Sequence, residues 1–127
     1  MNRTIQAADL RDVVNEILED YASGIEEASS KAVETTASDT VKRLKTYPVQ
    51  FNDHKYSKGW TKKVVKHRLY SEAIVYNKTA GHLTHLLEFG HLTSSGRRTT
   101  AYPHIAPVND EVPELFEDNF ADAIANT

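Results

Sequence analysis

Apolar residues in the first third of the chain recur in steps of three and four: Leu10, Val13, Val14, Ile17, Leu18, Tyr21, Ile25, Ala28 and Ala32. That spacing lines one stripe of a helix and predicts a single long helix over residues 9–46. Asp9 stands as its N-cap, with Asp12 and Glu16 in the first turns, where the helix dipole favours acids. Lys42, Arg43 and Lys45 occupy the last turns, and Pro48 ends the helix by forcing Tyr47 into extended geometry. Gly24 is its weak point. After Ala28 the stripe thins to Ala, Thr and Ser until Val41 and Leu44, so its middle third is expected to pack closely or stay partly exposed. At 1.5 Å per residue such a helix is roughly 55 Å long. That exceeds the diameter of a compact domain of this size, so one end is expected to project or to pack on another subunit.

The pattern then changes period. Residues 48–59 form a polar connection, with Phe51 and Tyr56 as its anchors. Residues 60–66 (WTKKVVK) and 71–77 (SEAIVYN) are β-branched and aromatic and predict an antiparallel strand pair over 60–77. Residues 80–89 predict a short helix capped by Thr79 and stopped by Gly90, with Leu83, Leu86 and Leu87 inward. Residues 91–98 predict a flexible polar loop, 98–102 a third strand, and 109–125 a last helix with Val112, Leu115, Phe116, Phe120 and Ile124 inward. Pro103 and Pro107 bracket the turn that sends this helix back over the sheet. The expected fold is one α+β domain over 1–127: a long N-terminal helix and a C-terminal helix on a small antiparallel sheet, with a short helix between.

Composition fits one globular domain: 127 residues, 39% hydrophobic and 26% charged. No apolar run is long enough to cross a membrane, and the charged first residues are not those of a secretory signal. The chain has no cysteine, which removes disulfides, thiolate chemistry and cysteine-ligated metals. The net charge of −3 conceals a block pattern. Residues 1–39 carry 3 basic and 9 acidic side chains; residues 40–68 carry 9 basic ones against Asp53 alone; residues 99–127 carry 6 acids and no base. Such blocks are usually solvated faces paired within one fold, but acidic ends and a basic middle also suit copies that meet head to tail.

Candidate chemistry is sparse. His82, His85 and Glu88 recur at a spacing of three, with His91 and His104 nearby, but they match no established ligand spacing, and no metal or other cofactor is expected. Ser94 and Ser95 near histidines offer the residue types of a hydrolase without its motif, so no enzyme is expected. The stronger competitor is a nucleic-acid-binding face. Lys55, Lys58, Lys62, Lys63, Lys66 and Arg68 are interleaved with Tyr56, Trp60 and Tyr70, an arrangement able to follow phosphates and stack bases. Against it, lysines on strands also protect sheet edges, and the acidic ends are unlike a dedicated nucleic-acid binder.

The segment HLTHLLEFGHLTSSGRRTTAYPHIAP, residues 82–107, resembles the signature of a tail-component family of long-tailed bacteriophages, of the gene-ten-product kind. The matching parts are Leu87, Glu88, Phe89, Gly90 and His91; then Gly96, Arg97 and Arg98; then Ala101, Pro103, His104, Ile105 and Pro107. The chain departs from the pattern at Val108 and Asn109, where the family tends to alanine. The resemblance implies a non-enzymatic virion protein of the neck, acting in head–tail joining or tail completion after assembly in the host cytoplasm. It implies a ring of six or twelve copies, contacting head-side connector or stopper proteins and tail terminator or tube proteins, with no membrane partner and with DNA in the channel. On this reading Thr93, Ser94, Ser95, Gly96, Arg97 and Arg98 form the contact loop, ordering on assembly. Lys58, Lys62, Lys63, Lys66 and Arg68 are the residues able to face DNA.

The same residues have a physical reading. Phe89 is expected to plug the core while Gly90 takes a left-handed turn. Phe89, Gly90, Ile105 and Pro107 are expected chiefly to build the fold. Glu88 sits at the unfavourable end of its helix and so needs a partner, for which Arg97 and Arg98 are nearest in sequence.

Overall fold

The computed structural model describes residues 7–47 and 54–126, with the side chains of residues 7, 8, 54 and 55 excepted. Pro48, Phe51 and the side chain of Lys55 therefore lie outside the described residues. Helix α1 (Ala7–Thr46) is unbroken over 40 residues, about 60 Å. It includes Ala7 and Ala8, so Asp9 lies inside its first turn and is not its cap. A one-turn helix α2 (His54–Lys58) follows within what the sequence presents as polar connection. Strands β1 (Trp60–Lys66) and β2 (Ser71–Asn77) pair antiparallel from Trp60 with Asn77 to Lys66 with Ser71. A 3-10 turn (Gly81–Leu83) leads into α3 (Thr84–Phe89), and α4 (Ile105–Ala125) closes the fold.

The architecture is α+β, with the long N-terminal helix as its spine. The sheet and α4 both pack on α1, and they do so where its stripe is smallest. Ala28, Ala32, Thr36, Ala37 and Thr40 are buried, because small side chains let a helix and a sheet approach the same stretch of backbone. Polar bonds fix both neighbours. Asn119 Nδ2 donates to Thr36 Oγ1 at 3.0 Å and to Asp39 Oδ2 at 3.2 Å. Ser30 and Ser71 share a 2.7 Å hydroxyl contact, and Lys62 donates to Ser38. The core gathers Leu44, Tyr56, Trp60, Ala80 and Val108, with Val41, Tyr47, Val75, Leu83, Leu87 and Ile105 around them.

Several local expectations change. Residues 98–102 form no strand; among the described residues only one antiparallel bridge, Leu92 with Arg98, lies outside β1 and β2. Residues 91–98 are the loop expected from the sequence, exposed and closed here into a tight turn. Thr93 N donates to Arg97 O at 2.8 Å, and Gly96 N to Thr93 O at 3.0 Å. Thr79 does not cap the short helix. Neither the 3-10 turn nor α3 has a side-chain N-cap; Asn77 Oδ1 closes the turn ahead of them, accepting the backbone N–H of Thr79 at 3.2 Å and of Ala80 at 2.9 Å. Helix α4 begins four residues before the expected 109, and Pro107 lies in its first turn, where a missing N–H costs nothing. Pro107 therefore starts the helix rather than closing the preceding turn. Val108 and Ala123 are its buried residues, while Ile124 is exposed.

Candidate assembly surfaces

The segment from Leu87 to Val108 is organised around one buried carboxylate. Glu88, 5% exposed, points away from the 91–98 turn and into the start of α4. Its Oε1 accepts the backbone N–H of His104 at 2.7 Å and of Ile105 at 2.8 Å, and its Oε2 accepts that of Ala106 at 3.0 Å. Helix α4 has no cap from its own N-cap side chain. Glu88 satisfies those orphan donors from another helix and places a negative charge at the positive end of the dipole. Arg97 and Arg98 are therefore not its partners. Arg98 instead donates to the Phe89 carbonyl at 3.1 Å. Burial pushes the Glu88 carboxyl upward, but the three backbone donors and the nearby His104 outweigh it and hold it below its ordinary value.

His104, 1% exposed, links this carboxylate to the core. Its Nδ1 donates to Tyr102 O at 2.8 Å and lies 3.1 Å from Glu88 Oε1. Its Nε2 meets the Tyr56 hydroxyl at 2.6 Å, and that hydroxyl also lies 3.3 Å from Thr84 Oγ1. Burial and the Glu88 charge raise the Tyr56 phenol above its ordinary pKa, against the Thr84 hydrogen bond. Tyr56, Trp60 and His104 pack edge to face, with centroids 5.5–6.1 Å apart. Tyr56→Phe should lower the unfolding free energy by about 1–3 kcal/mol, because His104 Nε2 is left unpaired in a buried place. Urea denaturation with an unchanged slope would measure it.

Phe89 does not plug the core; it is 68% exposed, beside exposed Leu92. The reason is geometric: adjacent positions on a helix face different ways, and the buried direction is taken by Glu88. Gly90 takes a positive φ, +71°, as a left-handed turn requires, but its ψ of 172° is extended and not that of the left-handed helical cap. His91 is pinned to the returning chain, its N–H donating to Thr99 Oγ1 at 2.9 Å. Tyr102 N donates to Leu87 O at 2.7 Å, which fixes exposed Pro103 just ahead of His104. His82 and His85 are exposed while Glu88 is buried, and no three ligand-type side chains converge as a metal site among the described residues.

The expected DNA-facing set divides. Lys58, Lys63, Lys66 and Arg68 are exposed, whereas Lys62 is on the inner sheet face bonded to Ser38. Tyr56 and Trp60 are core residues and offer no face to a base. Only Tyr70 of the three aromatics is exposed, and it is stacked on His67 with centroids 4.4 Å apart.

Two exposed apolar surfaces have no counterpart in the expected contact loop. On α1, Leu10, Val14, Ile17, Leu18 and Tyr21 are 43–69% exposed, so this end of the helix carries a hydrophobic stripe clear of the body. On the sheet, Ile74 and Tyr76 are 48% and 43% exposed on the face turned from α1. The alternation SEAIVYN carries this second signal: both of its phases are apolar, as in a strand covered on two sides. The fold and these surfaces define a small α+β protein with a packed body and an exposed helical arm. Comparison with known protein families, with curated proteins and with solved structures yields no match. No helix among the described residues is long and apolar enough to cross a membrane.

Proposed function

We propose that this protein is a structural component of a tailed-phage neck, joining heads to tails or completing tails by self-assembly and protein–protein contact. One observation carries the assembly part of the reading: the exposed apolar stripe of α1. A soluble helix normally buries such a stripe, and a contiguous exposed one marks an interaction surface. The phage part rests on the resemblance over residues 82–107. There the Glu–Phe–Gly and Pro–His–Ile–Ala–Pro elements form one joint between α3 and α4, so their spacing has a physical reason. Thr93, Ser94, Ser95, Gly96, Arg97 and Arg98 project at the edge of this joint, exposed and beside Phe89 and Leu92. They suit a contact with a neighbouring subunit or a tail protein.

Electron microscopy of lysates from a phage lacking this gene tests the reading. The expected result is filled heads and separate tails that do not join, with the ends of the free tails showing which side lacks the protein. Intact infectious particles would overturn it. The second reading, nucleic-acid binding, is favoured by exposed Lys66, Arg68 and Tyr70 at the hairpin end, with exposed Lys63 farther along β1. It predicts affinity for short duplex or single-stranded DNA that falls steeply as salt rises from about 50 to 200 mM. Binding that is absent at the low-salt end removes it.

A further inference from the structure

We propose that residues 9–23 of α1 lie across the outer face of the β1–β2 sheet of a second copy of this chain. The inference rests on the reading of the protein as self-assembling, and it names the two surfaces that meet.

The sheet supplies the first half of the argument. In the observed register, opposed residues share a face. Trp60, Lys62, Val64, Ala73 and Val75 therefore lie on the side of α1, where Lys62 reaches Ser38. Thr61, Lys63, Val65, Glu72, Ile74 and Tyr76 lie on the other side. An antiparallel sheet with one face in water places polar residues there. Here Val65, Ile74 and Tyr76 run diagonally across that face, each beside the next on the neighbouring or the same strand. Half of that face is apolar, and Ile74 and Tyr76 remain 48% and 43% exposed on it.

The arm supplies the second half. Leu10, Val14, Ile17, Leu18 and Tyr21 form one exposed stripe. At 1.5 Å per residue, residues 9–23 span about 22 Å. The seven-residue strands span about 23 Å. The charges are also of opposite sign. The arm bears Asp9, Asp12, Glu16, Glu19 and Asp20 against Arg11 alone, whereas the outer face carries exposed Lys63 against Glu72, with exposed Lys66 and Arg68 at the hairpin end beside it. Within the described residues none of these is in an ion pair except Glu72, which meets His67.

The arm that covers a sheet must come from another molecule. Helix α1 runs unbroken beneath the inner face, and Ser23, Glu26, Glu27 and Ser30 lie beside the hairpin end at Lys66 to Tyr70. Residues before Ser23 therefore continue past that end, away from their own sheet. Reciprocal exchange between two copies gives a closed dimer. Passing each arm to the next copy gives a ring.

The cysteine-free sequence makes the test direct. Full-length Leu18→Cys and Ile74→Cys proteins, both altered at exposed positions, are treated with a short bis-maleimide, singly and mixed. The expected result is a covalent dimer in the mixture and little in either alone. With both substitutions in one chain, exchange stops at two copies, whereas a ring gives a ladder. Linking of Leu18→Cys alone would show arm pairing with arm, linking of Ile74→Cys alone would show sheet against sheet, and either overturns the proposal. Absence of any link, with monomeric mass at the highest soluble concentration, does the same. Ile17→Asp should in addition raise the self-association Kd at least about tenfold, since it removes one buried apolar side chain. If the mixed link forms but phage lacking the gene still assemble, this contact stands and the neck role falls.

Discussion

Glu88→Ala is expected to lower the unfolding free energy by about 3–5 kcal/mol, the range for breaking a buried, hydrogen-bonded charge contact. For a domain of this size that is a large part of total stability. The variant loses three acceptor contacts at once, from His104 N, Ile105 N and Ala106 N. It also leaves His104 Nδ1 with Tyr102 O alone. Glu88→Gln keeps the shape and one amide oxygen but not the charge or the second acceptor, so it should fall between the two. The pH dependence has a definite sign. The folded carboxyl is held below its ordinary value of 4.5. Its contribution is therefore complete above about that pH and disappears as the pH falls through the lower folded-state value. Urea midpoints at pH 7 and below 4.5 should show wild type losing stability in acid and Glu88→Gln losing less. Equal losses in both proteins would remove Glu88 from this role.

Gly90→Ala is expected to cost at least about 2–3 kcal/mol, and more than the same change at Gly96. Both glycines have positive φ, +71° and +83°, so alanine is strained at either place. The surroundings differ. A Cβ on Gly90 would stand 2.6 Å from the backbone oxygen of Thr99, whereas a Cβ on Gly96 meets open space. Thr99 cannot retreat freely, because its N–H donates to His91 O at 2.8 Å and its hydroxyl accepts the His91 N–H. Gly96→Ala should cost only the backbone strain, about 1–2 kcal/mol. Thermal unfolding of the two variants side by side decides it, and equal effects would refute the close packing at Gly90. Displacement of Thr99 would propagate three residues on to Tyr102, in the segment that carries His104 into the joint.

The long helix and the hairpin were legible in sequence because each is a local pattern sustained over many residues. The 3.6-residue stripe from Leu10 to Ala32 and the two β-branched runs, at 60–66 and 71–77, need no distant partner to be recognised. The thinning of the stripe after Ala28 likewise marked where close neighbours would sit, and Ala28, Ala32 and Ala37 are buried there. Helix α4 was misplaced at its start because its first turn is held by Glu88, sixteen to eighteen residues earlier in the chain. A cap supplied from another helix leaves no Ser, Asp or Asn at the expected position. The supposed strand at 98–102 failed for the complementary reason. Residues of the right type met no neighbouring edge, and the sheet ends at two strands.

The candidate surfaces divide along the same line. The charge blocks and the exposed turn with Arg97 and Arg98 could be read directly, since solvated residues answer mainly to composition. Which lysines face outward could not be read, because Lys62 and Lys63 differ only in the phase of a strand whose two faces are both partly apolar. Tyr56 was open to two readings, an anchor of its connection or a base-stacking ring among lysines, and the fold takes the first, setting it against Trp60 and His104.

By itself, the sequence determined the α+β class, the helix spine, the hairpin, the positive φ at Gly90 and the separation of charge along the chain. These follow from periodicity, side-chain shape and backbone sterics, all of which act between near neighbours. Only the tertiary structure decided that Glu88 caps α4, that Phe89 faces solvent, that Tyr56 is core, and that one end of α1 and the outer sheet face remain uncovered. Those outcomes depend on contacts between residues far apart in the chain, such as Glu88 with the first turn of α4 and Tyr56 with His104.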